Sequence, residues 1–121
     1  MTVRKFKSVG VIERIMKMLF ICNQNKNRSK TAEEMFSQEF ETKSAGLFNV
    51  RPVTEKQLLW ADTIMVMDDG QRSELARRFP KTYFKKRIVS LSIPDVYSYG
   101  QPELVKLLRS RVMKAMRQIA E

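Results

Sequence analysis

The stretch KMLFICNQNKNRSK, residues 17–30, decides how the chain folds. Its apolar run ends in Cys22, which is the only cysteine in the sequence. Five polar residues separate this cysteine from Arg28 and Ser29. Beyond them, apolar residues recur at helical spacing, at Ala32, Met35, Phe36 and Phe40. The pattern predicts a buried strand, a short loop and an amphipathic helix over about residues 29–40.

We expect the loop at residues 23–27 to bind an anion, with phosphate the best fit. A loop that opens onto a helix N-terminus turns several backbone N–H groups toward one point, and the helix dipole adds positive potential there. Those amides and a nearby arginine also favour the charged thiolate form of Cys22. Arg28 can offer two parallel N–H donors to a phosphoryl group, which a lysine cannot do. The pair therefore suits attack of a thiolate on phosphorus through a covalent thiophosphate.

The order Cys-x5-Arg-Ser after a first strand resembles the signature of the protein tyrosine phosphatases. The position of Cys22 near the N-terminus and the later Ser44-Ala45-Gly46 resemble the low-molecular-weight class, in particular its compact prokaryotic branch. The likeness extends from about Lys17 to the end of the chain. The plainer alternative is a buried structural cysteine followed by an incidental arginine.

The resemblance implies roles for the residues of the loop and its surroundings. Cys22 would be the nucleophile and Arg28 would hold the phosphate. Asn25 would keep the loop in shape, Ser29 would stabilise the thiolate and Ser44 would link this network. Each supporting residue has a simpler alternative role: a left-handed turn residue, a helix cap and an exposed polar residue, respectively. The loop that would surround the phosphate comprises Asn23, Gln24, Asn25, Lys26, Asn27 and Arg28.

The thiophosphate mechanism needs a general acid, and Asp95 is the main candidate. Because the sequence contains no histidine, carboxylates are the first choice to protonate the leaving oxygen and later activate water. Asp95 follows the predicted fourth strand and can overhang the site. The resemblance implies an aspartate here, commonly in the order Asp-Pro-Tyr, from which Pro94-Asp95-Val-Tyr97 departs. A turn former after proline is the alternative, and Asp68 and Asp69 are reserve acids that suit helix caps better.

Aromatic side chains beside the loop would select an aryl phosphate by stacking on its ring. Phe48, Tyr97 and Tyr99 are placed for this, whereas Trp60 is expected in the core.

Three positions of the loop region depart from the family pattern. Gln24 stands where the family usually has glycine, Asn27 where it has a second cysteine, and Lys30 where it has proline. The loss of glycine alters the backbone of the loop. The loss of the second cysteine removes the disulfide partner that would protect the nucleophile from oxidation.

The rest of the chain alternates predicted strands and helices. Further strands are expected at residues 42–45, 63–67 and 87–91. Helices are expected after the capping residues Thr54 and Asp68 or Asp69, the latter helix stopping at Pro80, and from Pro102 onward. This pattern predicts an α/β fold, a three-layer α/β/α sandwich with a four-stranded parallel sheet. Sites in such sheets lie beyond the carboxyl ends of the strands, where the candidate residues fall.

The composition predicts one globular domain over residues 17–121, preceded by an extension at residues 1–16 that is an extra element or an artefact of start-site choice. Hydrophobic residues make up 43% of the 121-residue chain, which argues against disorder. With no membrane-spanning stretch and no signal peptide, we expect a cytoplasmic protein without a membrane partner. With no histidine and one cysteine, we expect no metal and no cofactor.

The net charge of +10, from 23 basic and 13 acidic residues, is scattered along the chain. No RNA-binding motif accompanies it, so nucleic acid is an unlikely partner and a solvated basic surface that attracts anionic substrates is expected.

The sequence therefore predicts a cysteine-dependent phosphomonoesterase, most specifically a protein tyrosine phosphatase acting on aryl phosphates, with phosphate or sulfate able to fill the loop. One alternative is a non-catalytic module on the same fold that binds phosphate or phosphoproteins. Another is an arsenate reductase-like protein, which would need further cysteines that this chain lacks.

Overall fold

A computed structural model describes residues 15–120 of the chain, so residues 1–14 of the predicted extension lie outside the described range. The central strand, β1 (Lys17–Cys22), is buried along nearly its whole length. Its side chains alternate between two cores, because successive residues of a strand point to opposite faces. Met18, Phe20 and Cys22 pack into one core, and Leu19 and Ile21 pack into the other.

Three further strands complete a sheet in the order β2-β1-β3-β4, and every pairing is parallel. The strands are β2 (Glu41–Gly46), β3 (Thr63–Val66) and β4 (Arg87–Ser90). The chain leaves β1 toward β2 on one side and returns to β3 on the other. The strand order therefore reverses next to β1, and open parallel sheets bind ligands at such a point, beyond the carboxyl ends of the strands.

Helices cover both faces of the sheet, which confirms the predicted three-layer α/β/α sandwich. Residues of α1 (Arg28–Met35) and α5 (Pro102–Ala120) join the core that contains Phe20. Residues of α2 (Glu55–Trp60), α3 (Asp69–Arg78) and α4 (Pro80–Lys85) pack on the core that contains Ile21. Trp60 is half-buried against this second core. None of the helices within residues 15–120 has the length and apolar character needed to cross a bilayer.

The first helix is shorter than predicted and ends at Met35. The Ser37 hydroxyl donates to the carbonyl oxygen of Glu34, and a side chain that bonds the local backbone in this way competes with helical hydrogen bonds. Turns continue the chain to residue 40, so Phe36 still packs in the core, with Phe40 against it. The apolar spacing was therefore right about burial and wrong about the length of the helix.

Local capping signals are realised at two helices, and one helix was not predicted. Thr54 forms a capping box with Gln57, and Asp68, rather than Asp69, forms one with Gln71. The third helix ends at Arg78, as the proline signal predicts. Pro80 then lies in the first turn of the additional helix α4. Proline is tolerated there because the backbone N–H that it lacks would have no partner within the helix.

Candidate active site

The loop at residues 23–27 lies at the carboxyl end of β1 and leads directly into α1. Cys22 ends the strand and is 3% exposed, while Arg28 begins the helix and is 1% exposed. Asn25 has a φ of +54°, in the left-handed region that asparagine tolerates better than most residues. The loop is therefore anchored at both ends by buried side chains and turns sharply at its centre.

Gly46, at the end of β2, allows the loop to pack closely against the sheet. A Cβ atom at this position would lie 2.6 Å from Asn49 Oδ1 and 3.0 Å from the backbone nitrogen of Asn25. The carbonyl oxygen of Asn23 accepts hydrogen bonds from the backbone N–H groups of Leu47 and Phe48. The segment after β2 thus fixes the first half of the loop, and a side chain at Gly46 would push the loop away.

A hydrogen-bonded chain leads from the loop to the sulfur of Cys22. Ser29 Oγ lies 3.0 Å from Cys22 Sγ and 2.8 Å from Asn25 Oδ1. The serine hydroxyl has a single proton, so it can donate to only one of these neighbours at a time. Donation to a thiolate would require the Asn25 amide to turn and present its NH₂ group to the serine oxygen. The arrangement therefore allows Ser29 to stabilise a negative charge on the sulfur.

Arg28 is held in place by the two loops that follow β3 and β4. Its Nη1 donates to the carbonyl oxygen of Ile93 at 2.7 Å and to Asp68 Oδ2 at 3.3 Å. Its Nη2 lies 3.6 Å from Asp95 Oδ2. Its Nε is buried and has no hydrogen-bond partner among residues 15–120. The guanidinium is thus oriented by the protein and keeps donor capacity for an anion.

A cavity of about 80 Å³ lies over the loop and brings the three predicted catalytic residues together. Asp95 lies at its rim with a side chain that is 61% exposed. The walls are polar or charged except for the cysteine sulfur. The lining residues are Cys22, Asn23, Gln24, Lys26, Asn27, Arg28 and Asp95.

Gln71 supports the loop and was missed by the sequence analysis. This residue is 2% exposed, and its Oε1 accepts hydrogen bonds from the backbone N–H groups of Met67 and Asp68. Its Nε2 donates to Asn23 Oδ1 at 3.1 Å. Gln71 therefore connects the start of the loop to the corner between β3 and α3. The spacing Asp68-x-x-Gln71 is that of a capping box, but it carries no sign of the bond to Asn23.

Asp68 caps α3, which is one of the roles that the sequence analysis considered for it, and it also contacts Arg28, which was not predicted. Its Oδ1 accepts from the backbone N–H of Gln71 and caps α3, while its Oδ2 accepts from Arg28. It is not among the residues that line the cavity.

Ser44 lies outside the hydrogen-bonded chain around Cys22, contrary to the prediction. Its hydroxyl donates to Glu33 Oε1 at 2.6 Å, on the outer part of α1. The reason is its register: Ser44 pairs with Phe20, two residues before the strand position of Cys22. Gly46, two residues further along β2, pairs with Cys22 and is the residue of Ser44-Ala45-Gly46 that packs against the loop.

The predicted aromatic wall is not assembled around the cavity. Phe48 is 55% exposed and its ring centroid lies 5.0 Å from the guanidinium carbon of Arg78. Tyr97 is half-buried against the core shared by α1 and α5. The hydroxyl of Tyr99 donates a hydrogen bond to Glu34 on α1, and this bond raises the pKa of the tyrosine because it stabilises the protonated phenol. None of these three rings borders the 80 Å³ cavity.

The loop that carries Asp95 is attached to α1 beyond the aspartate. Thr31 Oγ1 accepts from the backbone N–H of Gly100 at 3.0 Å and donates to the carbonyl oxygen of Asn27 at 2.7 Å. The same threonine therefore contacts both loops that border the cavity. It had no assigned role in the sequence analysis, and its helical position alone did not reveal the contact.

Comparison with solved structures shows what this fold resembles. The chain aligns with the YwlE arginine phosphatase from Geobacillus stearothermophilus at 20% identity over 85% of this chain and 94% of that one, with a TM-score of 0.64. The tyrosine phosphatase Wzb from Escherichia coli K30, solved in complex with phosphate, aligns at 16% identity over 87% and 99%, with a TM-score of 0.66. Comparison with protein-family models and with curated proteins gives no match.

A third similar structure carries the family name that the loop motif suggested. It is a low-molecular-weight phosphotyrosine phosphatase from Vibrio cholerae O395, with 19% identity over 88% of this chain and 97% of that one and a TM-score of 0.67. Each alignment covers most of both chains. The chain therefore has the fold of the low-molecular-weight protein tyrosine phosphatases.

Proposed function

We propose that this protein is a cysteine-dependent protein phosphatase that works through a phosphocysteine intermediate and acts on phosphotyrosine. One observation carries the proposal: the sulfur of Cys22, the guanidinium of Arg28 and the carboxyl group of Asp95 border the same 80 Å³ cavity. A nucleophile, an anion clamp and a proton donor are the groups that transfer of a phosphoryl group to sulfur requires.

In the first step, the thiolate of Cys22 attacks phosphorus, so a P–S bond forms while the P–O bond to the leaving group breaks. The protonated carboxyl group of Asp95 gives its proton to the leaving oxygen, which departs as the phenol of tyrosine. Arg28 and the backbone amides of the loop stabilise the charge on the phosphoryl oxygens, as preorganised donors do in other transferases. Ser29 donates its hydrogen bond to the sulfur before the attack.

In the second step, water attacks the phosphocysteine. The carboxylate of Asp95 now accepts a proton from this water, a new P–O bond forms, and the P–S bond breaks. Inorganic phosphate leaves and the thiolate of Cys22 is restored, with Asp95 protonated for the next cycle. Asp95 is exposed at the rim of the cavity, so it can reach both the leaving oxygen and the incoming water.

The charge at the cavity supports tyrosine over arginine as the phosphorylated residue. Lys26 lines the cavity and is exposed, so it adds positive charge beside the space that the leaving group would occupy. A phenolic leaving group is compatible with this charge, whereas the guanidino group of phosphoarginine is repelled when it carries a proton. The neutral ring of a phosphotyrosine would instead contact the rim beside Asp95.

The experiment follows hydrolysis of para-nitrophenyl phosphate, of a phosphotyrosine peptide and of a phosphoarginine peptide, in the presence of a metal chelator. We expect turnover of the first two, no turnover with Cys22→Ser, and retention of phosphate binding by that variant. Binding without turnover by the wild-type protein would indicate the non-catalytic module instead. Faster hydrolysis of phosphoarginine than of phosphotyrosine would contradict the substrate assignment and leave the phosphatase assignment intact.

A further inference from the structure

We propose that the outer edge of β4, together with the facing side of α5, is a docking site for an extended acidic segment of a partner protein. The segment would add to the sheet as a further strand and place its carboxylates against Arg111 and Lys114. This site lies outside the cavity that contains Cys22, and its binding does not require phosphoryl transfer.

The first observation is that β4 presents an open edge. Among the described strands β4 pairs only with β3, and its residues are half-exposed, whereas β3 is fully buried. The backbone N–H of Leu91 donates to Val66 and that of Ile93 donates to Met67, so the N–H groups of the odd-numbered residues turn toward β3. Because these directions alternate along a strand, the backbone groups of Ile88 and Ser90 face outward.

The second observation is a broad depression along this edge. It has a volume of about 340 Å³ and lies between Ser90 and Ser92 on the sheet side and Arg111, Lys114 and Gln118 on α5. The depression therefore offers room beside the strand for an added segment.

The charge of the residues that line the depression indicates which kind of segment would bind there. Arg111 and Lys114 are its only charged lining residues among those described, and both are basic. Arg111 also donates to the carbonyl oxygens of Leu91 and Ser92, at 2.7 Å each, which fixes its guanidinium beside the edge. Complementary charge orients and accelerates association, so an acidic segment fits this edge best.

Two other occupants fit the charge less well. A second copy of this chain paired through β4 would bring the same basic groove against itself, and like charges across a strand pair are destabilising. The segment at residues 1–14 carries Arg4, Lys5, Lys7 and Arg14 but only one acidic residue, Glu13. Both occupants are nevertheless outcomes that the experiment distinguishes.

The experiment measures binding of a fluorescent eight-residue peptide that alternates glutamate and valine. The control peptide has the same sequence but is N-methylated at alternate residues, so that it keeps its charge and cannot form one side of a strand ladder. We expect the N-methylated peptide and Lys114→Glu each to weaken binding by about tenfold or more. The matched control Lys81→Glu makes the same charge change on exposed α4, on the other face of the sheet, and should have a much smaller effect.

Ser90→Pro tests the backbone directly. Because the N–H of Ser90 faces away from β3, proline there removes no bond between β3 and β4 but blocks an added strand. Equal binding of both peptides, or equal effects of Lys114→Glu and Lys81→Glu, would overturn the proposal in favour of nonspecific attraction. Tighter binding after deletion of residues 1–14, or a dimer that Ser90→Pro dissociates, would also overturn it, since this chain would then be the occupant.

Discussion

The two loops that border the cavity are built in opposite ways. The loop after β1 begins at Cys22 and ends at Arg28, both of which are almost completely buried. The loop after β4 carries Asp95 with a side chain that is 61% exposed, and Val96 beside it is 72% exposed. The groups that would grip the phosphoryl group are thus part of the core, whereas the group that would handle the leaving oxygen meets solvent. A mutation can therefore weaken phosphate binding without affecting proton transfer, and another can do the reverse.

The largest effect is expected from Arg28→Lys, which tests the buried loop. Lysine keeps the positive charge but cannot contact Ile93, Asp68 and a phosphoryl group at once, because its ammonium is a single centre. We expect kcat/KM for aryl phosphates to fall by about 10³-fold. Steady-state kinetics with a thermal melt in parallel would measure this. A variant that keeps its melting temperature and most of its activity would show that a residue other than Arg28 binds the phosphoryl group.

A smaller effect that depends on the substrate is expected from Asp95→Asn, which tests the exposed loop. Phosphotyrosine hydrolysis should slow by about 10²-fold, at the lower end of what general acid catalysis supplies, because its leaving oxygen needs a proton. Hydrolysis of para-nitrophenyl phosphate should slow less, since its leaving group departs more readily as an anion. Asp69→Asn is the matched control, because Asp69 is exposed and Asp68 contacts Arg28. Equal losses on both substrates would contradict proton donation by Asp95.

The smallest effect is expected at Glu74, which belongs to neither loop. Hydrogen bonds from Arg77 and Arg78 lower the pKa of this carboxyl group from its ordinary value of 4.5 to about 2. The stability it contributes is therefore present above pH 4.5 and lost as the pH falls through about 2. Glu74→Gln should lower the free energy of unfolding at pH 7, and the difference should shrink toward pH 2.

Urea unfolding of both proteins at several pH values measures this contribution of Glu74. Turnover of small substrates should be unchanged in Glu74→Gln at pH 7, because the ion pairs lie on the outside of α3. A difference in stability that stays constant down to pH 2 would show that the mutation acts through packing rather than through the charge.

The parts of the fold that were predictable from the sequence depend on local patterns. The central strand, the loop and the start of α1 follow from the apolar run and the polar loop, and Thr54 and Asp68 follow from capping chemistry. The helix α4 was not predictable in the same way. Pro80 indicates the end of the preceding helix, but it is equally compatible with the first turn of a new one. The family resemblance, rather than a local pattern, grouped Cys22, Asn25 and Ser29, and the structure places them as hydrogen-bonded neighbours.

The contacts that were missed join residues far apart in the sequence. Arg28 bonds the carbonyl oxygen of Ile93 across 65 positions, and Gln71 reaches Asn23 across 48. In both cases the partner comes within reach only when the sheet is assembled. Patterns of residue spacing along the sequence therefore cannot predict these hydrogen bonds. Tyr99 shows the opposite error, since it lies near the site in the sequence but bonds to Glu34 on the outer part of α1.

The close approach at Gly46 has an evolutionary consequence. The strand β2 and the loop after β1 meet where a single methyl group would strike both Asn49 and the backbone of Asn25. A descendant of this protein could exchange many residues of the loop one at a time, as Gln24 and Asn27 suggest. It could not replace Gly46 without displacing the Asn49 side chain and shifting the loop backbone at Asn25 by a few tenths of an ångström. Among divergent relatives, we therefore expect the glycine at this position to be more conserved than the side chains around it.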